Sequence, residues 1–132
     1  MQSLKELILG SEDIKYEDVE IPEWGGVTVR VKSLNDAQLG EYQARSLAMR
    51  AKAAKDGNTE SVEINHRDRK SEIVVKCLYD PETDKRIFDD KDAHSLSKKS
   101  AGVVNGLYLL INSLTGLDKT FDRKVAEAEG NS

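Results

Sequence analysis

The chain has 132 residues, of which 38% are apolar and 33% charged, and its net charge is −4. This length is typical of one domain with a thin core, and the single cysteine excludes an internal disulfide framework and fits a reducing cytosol. No apolar run approaches the roughly 20 residues of a membrane span, and the first residues lack the features of a signal peptide. These observations predict a cytoplasmic protein that does not enter a membrane.

Charge is unevenly distributed along the chain. Residues 1–44 carry 4 basic and 9 acidic side chains, whereas residues 45–76 carry 8 basic and 5 acidic ones. The acidic first third argues against nucleic acid as the main partner, although the basic patch over residues 45–70 keeps that alternative open. Because the patch has no interleaved aromatic residues for base stacking, a solvated helix face with i, i+4 ion pairs is the preferred interpretation.

The first predicted element is a short helix that begins after Ser3 and ends at Gly10. Ser3 and Glu6 form a capping-box pattern, in which each side chain can accept a hydrogen bond from the other residue's backbone N–H. Three apolar residues share one side of this helix: Leu4, Leu7 and Ile8.

A β-hairpin is predicted next, because residues 19–21 and 27–31 alternate apolar and polar side chains as half-buried strands do. Its connection is marked by Pro22, Trp24, Gly25 and Gly26, and the two glycines supply the positive φ of a tight turn. Trp24, the only tryptophan, is interpreted as a plug over the open end of the hairpin. The alternative is an exposed anchor for a partner.

Two helices are predicted in the middle of the chain. Ser33 or Asn35 can cap the first, which runs to about Lys55 and ends at Gly57-Asn58. A polar loop at residues 58–63 precedes the second helix, predicted over residues 65–79, for which the β-branched run at 73–75 leaves a strand as the alternative. The apolar stripe of this second helix comprises Ile73, Val74, Cys77 and Leu78.

The last third of the chain predicts a turn at residues 80–84, a short extended piece at 86–88 and a brief helix from Asp89 to Leu96. A final helix then ends at Gly116. Gly102 and Gly106 lower the stability of that helix by about 1 kcal/mol each relative to alanine; they either let another helix pack closely or are simply tolerated. The apolar face of this helix comprises Val103, Val104, Leu107, Leu110, Ile111 and Leu114.

These elements predict an α+β, mostly helical fold, in which an N-terminal β-hairpin packs against a small bundle of about four to five helices. Residues 1–117 are expected to form a single globular domain. Residues 118–132 are expected to be a weakly structured C-terminal helix or tail.

The residues that could do chemistry are few. His66 and His94 lie in polar stretches with no partners at metal-ligand spacing, and Cys77 falls on an apolar stripe, where an inert buried thiol is expected. The acidic run at 80–84 resembles the start of a calcium loop, but Lys85 and Lys91 stand where such a loop needs glycine and glutamate. We therefore predict no catalytic residue, no metal site and no cofactor.

With its segments in order, the chain resembles the tail assembly chaperones of long-tailed bacteriophages and prophages. The resemblance spans about residues 3–117 and departs from the family at Asp84-Lys85, where glycine is often found. It is carried by five stretches of sequence: residues 19–30 (VEIPEWGGVTVR), 33–36 (SLND), 80–83 (DPET), 87–92 (IFDDKD) and 114–117 (LTGL).

The resemblance implies a non-catalytic protein of the host cytoplasm that binds the tape measure protein and tail tube subunits during tail morphogenesis and is not kept in the virion. The alternatives are a structural minor tail component that stays in the virion, and a small nucleic-acid-binding regulator that uses the 45–70 patch.

A binding protein of this kind would associate with itself or clasp an amphipathic helix. The surface is expected on apolar residues of the 33–56 helix or the last helix that the core leaves unused. The candidate partner-binding residues are Tyr42, Met49, Leu107, Leu110 and Ile111.

Overall fold

The computed structural model describes residues 2–56 and 69–117. The loop predicted at 58–63, the predicted start of the second helix, His66 and the tail at 118–132 lie outside these residues. The described residues form five α-helices and three strands. In chain order they are α1 (Leu4–Gly10), β1 (Tyr16–Ile21), β2 (Val27–Lys32), α2 (Asp36–Asp56), α3 (Arg69–Cys77), β3 (Leu78–Tyr79), α4 (Ala93–Leu96) and α5 (Ala101–Thr115).

The three strands form one antiparallel sheet in the order β1-β2-β3. The predicted hairpin is confirmed, with Ile21 opposite Val27, and its connection contains a 3₁₀ turn, Pro22–Trp24. Gly25 and Gly26 adopt φ of 78° and 75°, a region that favours glycine because it has no Cβ. Since side chains alternate along a strand, one face of the sheet is apolar and packs against α3 and α5.

Trp24 is half-buried and packs against the core at the end of the hairpin. Its indole Nε1–H is buried and has no hydrogen-bond acceptor within the described ranges.

Helix α3 lies at the centre of the molecule and packs against α2, α4, α5 and β2. Its apolar residues are at most 2% exposed. Arg69, although charged, is only 5% exposed. Its guanidinium donates a hydrogen bond of 2.9 Å to the Tyr42 carbonyl and lies 4.0 Å from the centre of the Tyr42 ring. This arrangement joins α3 to α2.

The start of α2 is defined by reciprocal hydrogen bonds between Asn35 and Gln38. The Gln38 N–H donates a hydrogen bond of 2.8 Å to Asn35 Oδ1, and the Asn35 N–H donates one of 3.0 Å to Gln38 Oε1. This reciprocal pair is a capping box. Asn35 is therefore the cap. Ser33, the other candidate, instead accepts a hydrogen bond from the Lys15 N–H at its hydroxyl.

The helix predicted over residues 65–79 ends earlier than expected. α3 stops at Cys77, and Leu78 and Tyr79 form β3, which pairs with Val31 and Arg30 of β2. The prediction was wrong for these two residues because helical spacing is a local signal, whereas pairing with β2 joins residues 47 to 49 positions apart in the sequence. Leu78 is fully buried as a result.

The turn after β3 is confirmed, with the Asp84 N–H donating 2.7 Å to the Asp80 carbonyl. Asp84 has φ of 58°, a left-handed conformation that aspartate tolerates better than most residues. This explains why aspartate can stand at the turn where related chaperones often have glycine. Arg86 forms an isolated bridge with Tyr79. Asp89 then caps a 3₁₀ turn, Asp90–Asp92, that leads into α4.

Helix α5 has the apolar face that its spacing predicts and ends at Gly116, which has φ of 88°. Val104, Leu107 and Ile111 are buried, whereas Val103, Leu110 and Leu114 are partly buried. The α+β, mostly helical fold predicted from the sequence is confirmed.

The packing of α5 predicts that two neighbouring truncations change the free energy of unfolding by very different amounts. Ile111 is 0% exposed, so Ile111→Ala should lower the free energy of unfolding by about 2–5 kcal/mol through lost burial and a residual cavity. Leu109 is 57% exposed, and Leu109→Ala should change it by less than about 0.5 kcal/mol. Urea denaturation followed by circular dichroism measures both, and equal losses would contradict this packing.

Candidate interaction surfaces

Among the described residues, α1 carries the densest set of exposed apolar side chains. The Ser3 hydroxyl accepts a hydrogen bond from the Glu6 N–H at 3.2 Å, as the capping pattern predicts, but no residue of the helix is buried. Exposed side chains of this size in one short segment are uncommon on a protein that acts alone. We call them the α1 apolar surface: Leu4, Leu7, Ile8 and Leu9, which are 53–74% exposed.

A second apolar feature is a groove of about 290 Å³ between β1 and α5. Gly102 and Gly106 lie along its α5 side, and Glu20 and Glu23 lie at its β1 side. We call it the β1–α5 groove, and its apolar lining consists of Val19, Ile21, Val103, Leu107 and Leu110.

The structure separates the candidate partner-binding residues. Leu107 is 4% and Ile111 0% exposed, so the core occupies both and neither offers a free surface. Tyr42 and Met49 are half-buried and contact the Arg69 guanidinium, whose Nη1 lies 3.2 Å from Met49 Sδ. Leu110 is half-buried and lines the β1–α5 groove, and Leu107 contributes to the floor of the same groove.

Sequence reasoning missed the α1 apolar surface and the β1 side of the groove, whereas Leu110 and the glycine spacing of the last helix had pointed to the α5 side. A signal for the first was present, because the Leu7-Ile8-Leu9 run points in more directions than one packing partner can cover. The β1 side of the groove had no local signal, since it depends on where β1 passes α5.

The outer face of the sheet is polar and internally paired. The Arg30 guanidinium binds Asp18, with Nε 2.8 Å from Oδ1, and lies over the Tyr16 ring. The Lys32 ammonium is 2.9 Å from Asp84 Oδ1. A face whose basic side chains are already paired has little to offer an anionic ligand.

These hydrogen bonds lower the pKa of the acidic partners. The hydrogen bond from Arg30 lowers the pKa of Asp18, and the hydrogen bond from Lys32 lowers that of Asp84. On the helical side, the hydrogen bond from Arg86 lowers the pKa of Asp90.

The basic patch is largely engaged within the fold where the structure describes it. Arg45 lies 2.9 Å from Glu72, Arg69 is buried against Tyr42, and the Lys70 ammonium donates 2.7 Å to Asn105. Lys52 and Lys55 are exposed, and Arg67 lies outside the described residues. The side chains described here form no continuous basic surface for a phosphate backbone.

The groups that could do chemistry are placed as follows. Cys77 is buried, and burial raises the pKa of its thiol to about 12, so it stays protonated. His94 is on the surface. Over residues 2–56 and 69–117, no group of three or more histidine, cysteine or acidic side chains is arranged to hold a metal ion. No helix in those ranges combines the length and apolar character needed to cross a bilayer.

The fold and these surfaces define a small α+β protein with apolar features available for binding. The sequence profile of the phage tail assembly chaperone family matches residues 3–124. The chain therefore belongs to the phage tail assembly chaperone family, and the resemblance drawn from its sequence is confirmed.

A solved structure supports the same assignment of fold. The tail assembly chaperone of bacteriophage HK97 is similar, with a TM-score of 0.60 over 84% of this chain and 95% of that chain, at 15% sequence identity. No curated protein matches the chain in sequence.

The paired carboxylates predict a fall in stability at acid pH. Because the folded-state pKa values of Asp18, Asp84 and Asp90 are lowered, the stability they contribute is present above the ordinary aspartate pKa of about 4 and is lost as pH falls through the lower folded values. The free energy of unfolding should therefore decrease as the pH falls below about 4. Urea titrations at a series of pH values from about 6 to about 2 measure it.

A matched pair of variants tests the origin of that drop. Asp90→Asn should make the dependence on pH shallower, whereas Asp13→Asn, which lies outside these ion pairs, should leave it unchanged. An Asp90→Asn profile identical to that of the parent would contradict the assignment.

Proposed function

We propose that this chaperone binds the tape measure protein and tail tube subunits during tail morphogenesis in the host cytoplasm, and that it acts by contact without catalysis. Membership of the tail assembly chaperone family supports the class of function. The α1 apolar surface is the observation that carries the mechanism, since four large apolar side chains are held on one capped helix that contributes nothing to the core.

The physical basis is burial of apolar surface that a helical client would otherwise expose to water. Each Leu or Ile side chain fully buried on binding contributes about 1.5–3 kcal/mol, which works against the entropy cost of association. Helix-in-groove recognition by an amphipathic helix uses this kind of contact. An α1 that is not packed into the core is free to meet a client without unfolding the chaperone.

Co-expression with a tape measure fragment tests the proposal. The parent chain should raise the soluble fraction of the fragment, and Leu7→Asp with Ile8→Asp should reduce this gain and weaken binding by at least about tenfold, because two apolar contacts are lost. The matched control is Lys5→Asp, which lies outside the α1 apolar surface and changes the net charge by the same amount.

Circular dichroism should show that both variants fold, since no residue of α1 is buried. No gain in solubility with the parent chain would contradict the proposed client. A virion proteome in which the chain is an abundant component would instead favour a structural tail protein.

A further inference from the structure

We propose that the β1–α5 groove takes an amphipathic helix of a partner protein whose apolar stripe is bordered by lysine or arginine. The inference rests on the proposed function, because it assigns a second contact site and a charge requirement to the same client class. No residue of the α1 apolar surface lines this groove.

The groove has the form that a helix needs. Its lining combines Val19 of β1 with Val103 and Leu110 of α5, all three of them half-buried. The stretch from Gly102 to Leu110 runs for about 12 Å along α5, which is the length of two helical turns of a partner. Apolar side chains at i, i+3 and i+4 on that partner would lie along it.

The glycines of α5 are not required by the packing of the chain itself. A Cβ placed on Gly106 would meet nothing within 4 Å, and one on Gly102 would meet only the Ser100 Oγ at 3.8 Å, an ordinary contact. Alanine would therefore fit at both positions and favour the helix. Close approach of a second backbone to α5 gives the two glycines a use that the monomer does not.

Charge identifies the occupant. Glu20 and Glu23 are exposed beside the groove and form no ion pair with any described residue. Cationic side chains flanking an apolar stripe would pair with them, and a stripe flanked by acids would be repelled. A second copy of this chain is disfavoured as occupant, because its own exposed apolar helix belongs to residues 1–44, which carry 4 basic and 9 acidic side chains.

A peptide titration tests the inference. The probe is a dye-labelled synthetic peptide of about 16 residues with leucines at i, i+3, i+4 and i+7 and lysines on both flanks, compared with the same peptide carrying glutamate for lysine. Fluorescence anisotropy with the full chain should show that the lysine peptide binds at least about tenfold more tightly, and that added salt weakens it. Equal binding of the two peptides would overturn the proposal.

Three variants locate the binding. Glu20→Lys with Glu23→Lys should abolish the preference for the lysine peptide, whereas Glu12→Lys with Asp13→Lys, an equal change of charge outside the groove, should preserve it. Gly106→Ala should raise the midpoint of thermal unfolding and yet weaken binding of the lysine peptide. General damage to the fold cannot produce this combination. Unchanged binding by Gly106→Ala and by Glu20→Lys with Glu23→Lys would overturn the proposal.

The tape measure co-expression separates this inference from the proposed function. If the parent chain and the groove variants hold the fragment soluble equally well, the groove is not a client site and the proposed function stands. If the parent chain fails to hold the fragment, the proposed client is wrong whatever the peptides do.

Discussion

Helix α3 is buried on nearly all of its sides, and the positions of the other elements depend on that burial. Its apolar residues fill the space between the sheet and the surrounding helices. Two of its charged residues are buried with partners: Arg69 donates a hydrogen bond to the Tyr42 carbonyl, and Glu72 lies 2.9 Å from Arg45. Such pairs are costly to break, since removing one member leaves a buried group without its partner, so α3 holds α2 against the core.

The way in which the core is filled decides which surfaces remain for binding. α3 packs against the inner face of the sheet and the buried side of α5, and the basic side chains of the outer face are paired with aspartates. The apolar features that remain accessible among the described residues include α1 and the β1–α5 groove. A tail assembly chaperone built in this way keeps a stable centre while offering its periphery to a client.

Local patterns predicted much of this fold. The Ser3 and Asn35 caps, the hairpin and the apolar face of α5 follow from spacing over a few residues. β3 was missed because Leu78 joins the sheet through Val31, a contact that no local period encodes. For the same reason the sequence could not show that Ile111 is buried in the core while Leu110 lines a groove, since one helical face can contact both. The burial of Arg69 depends on Tyr42, which is 27 residues away.

Hydrogen–deuterium exchange of the full chain, with and without a tape measure fragment, tests most directly the claim that a buried centre carries a binding periphery. The account predicts slow exchange of α3 amides in both samples, and new protection confined to α1, β1 and the groove side of α5 when the fragment is present. Protection confined to α2 or to β2 and β3, or fast exchange of α3 in the free chain, would contradict it.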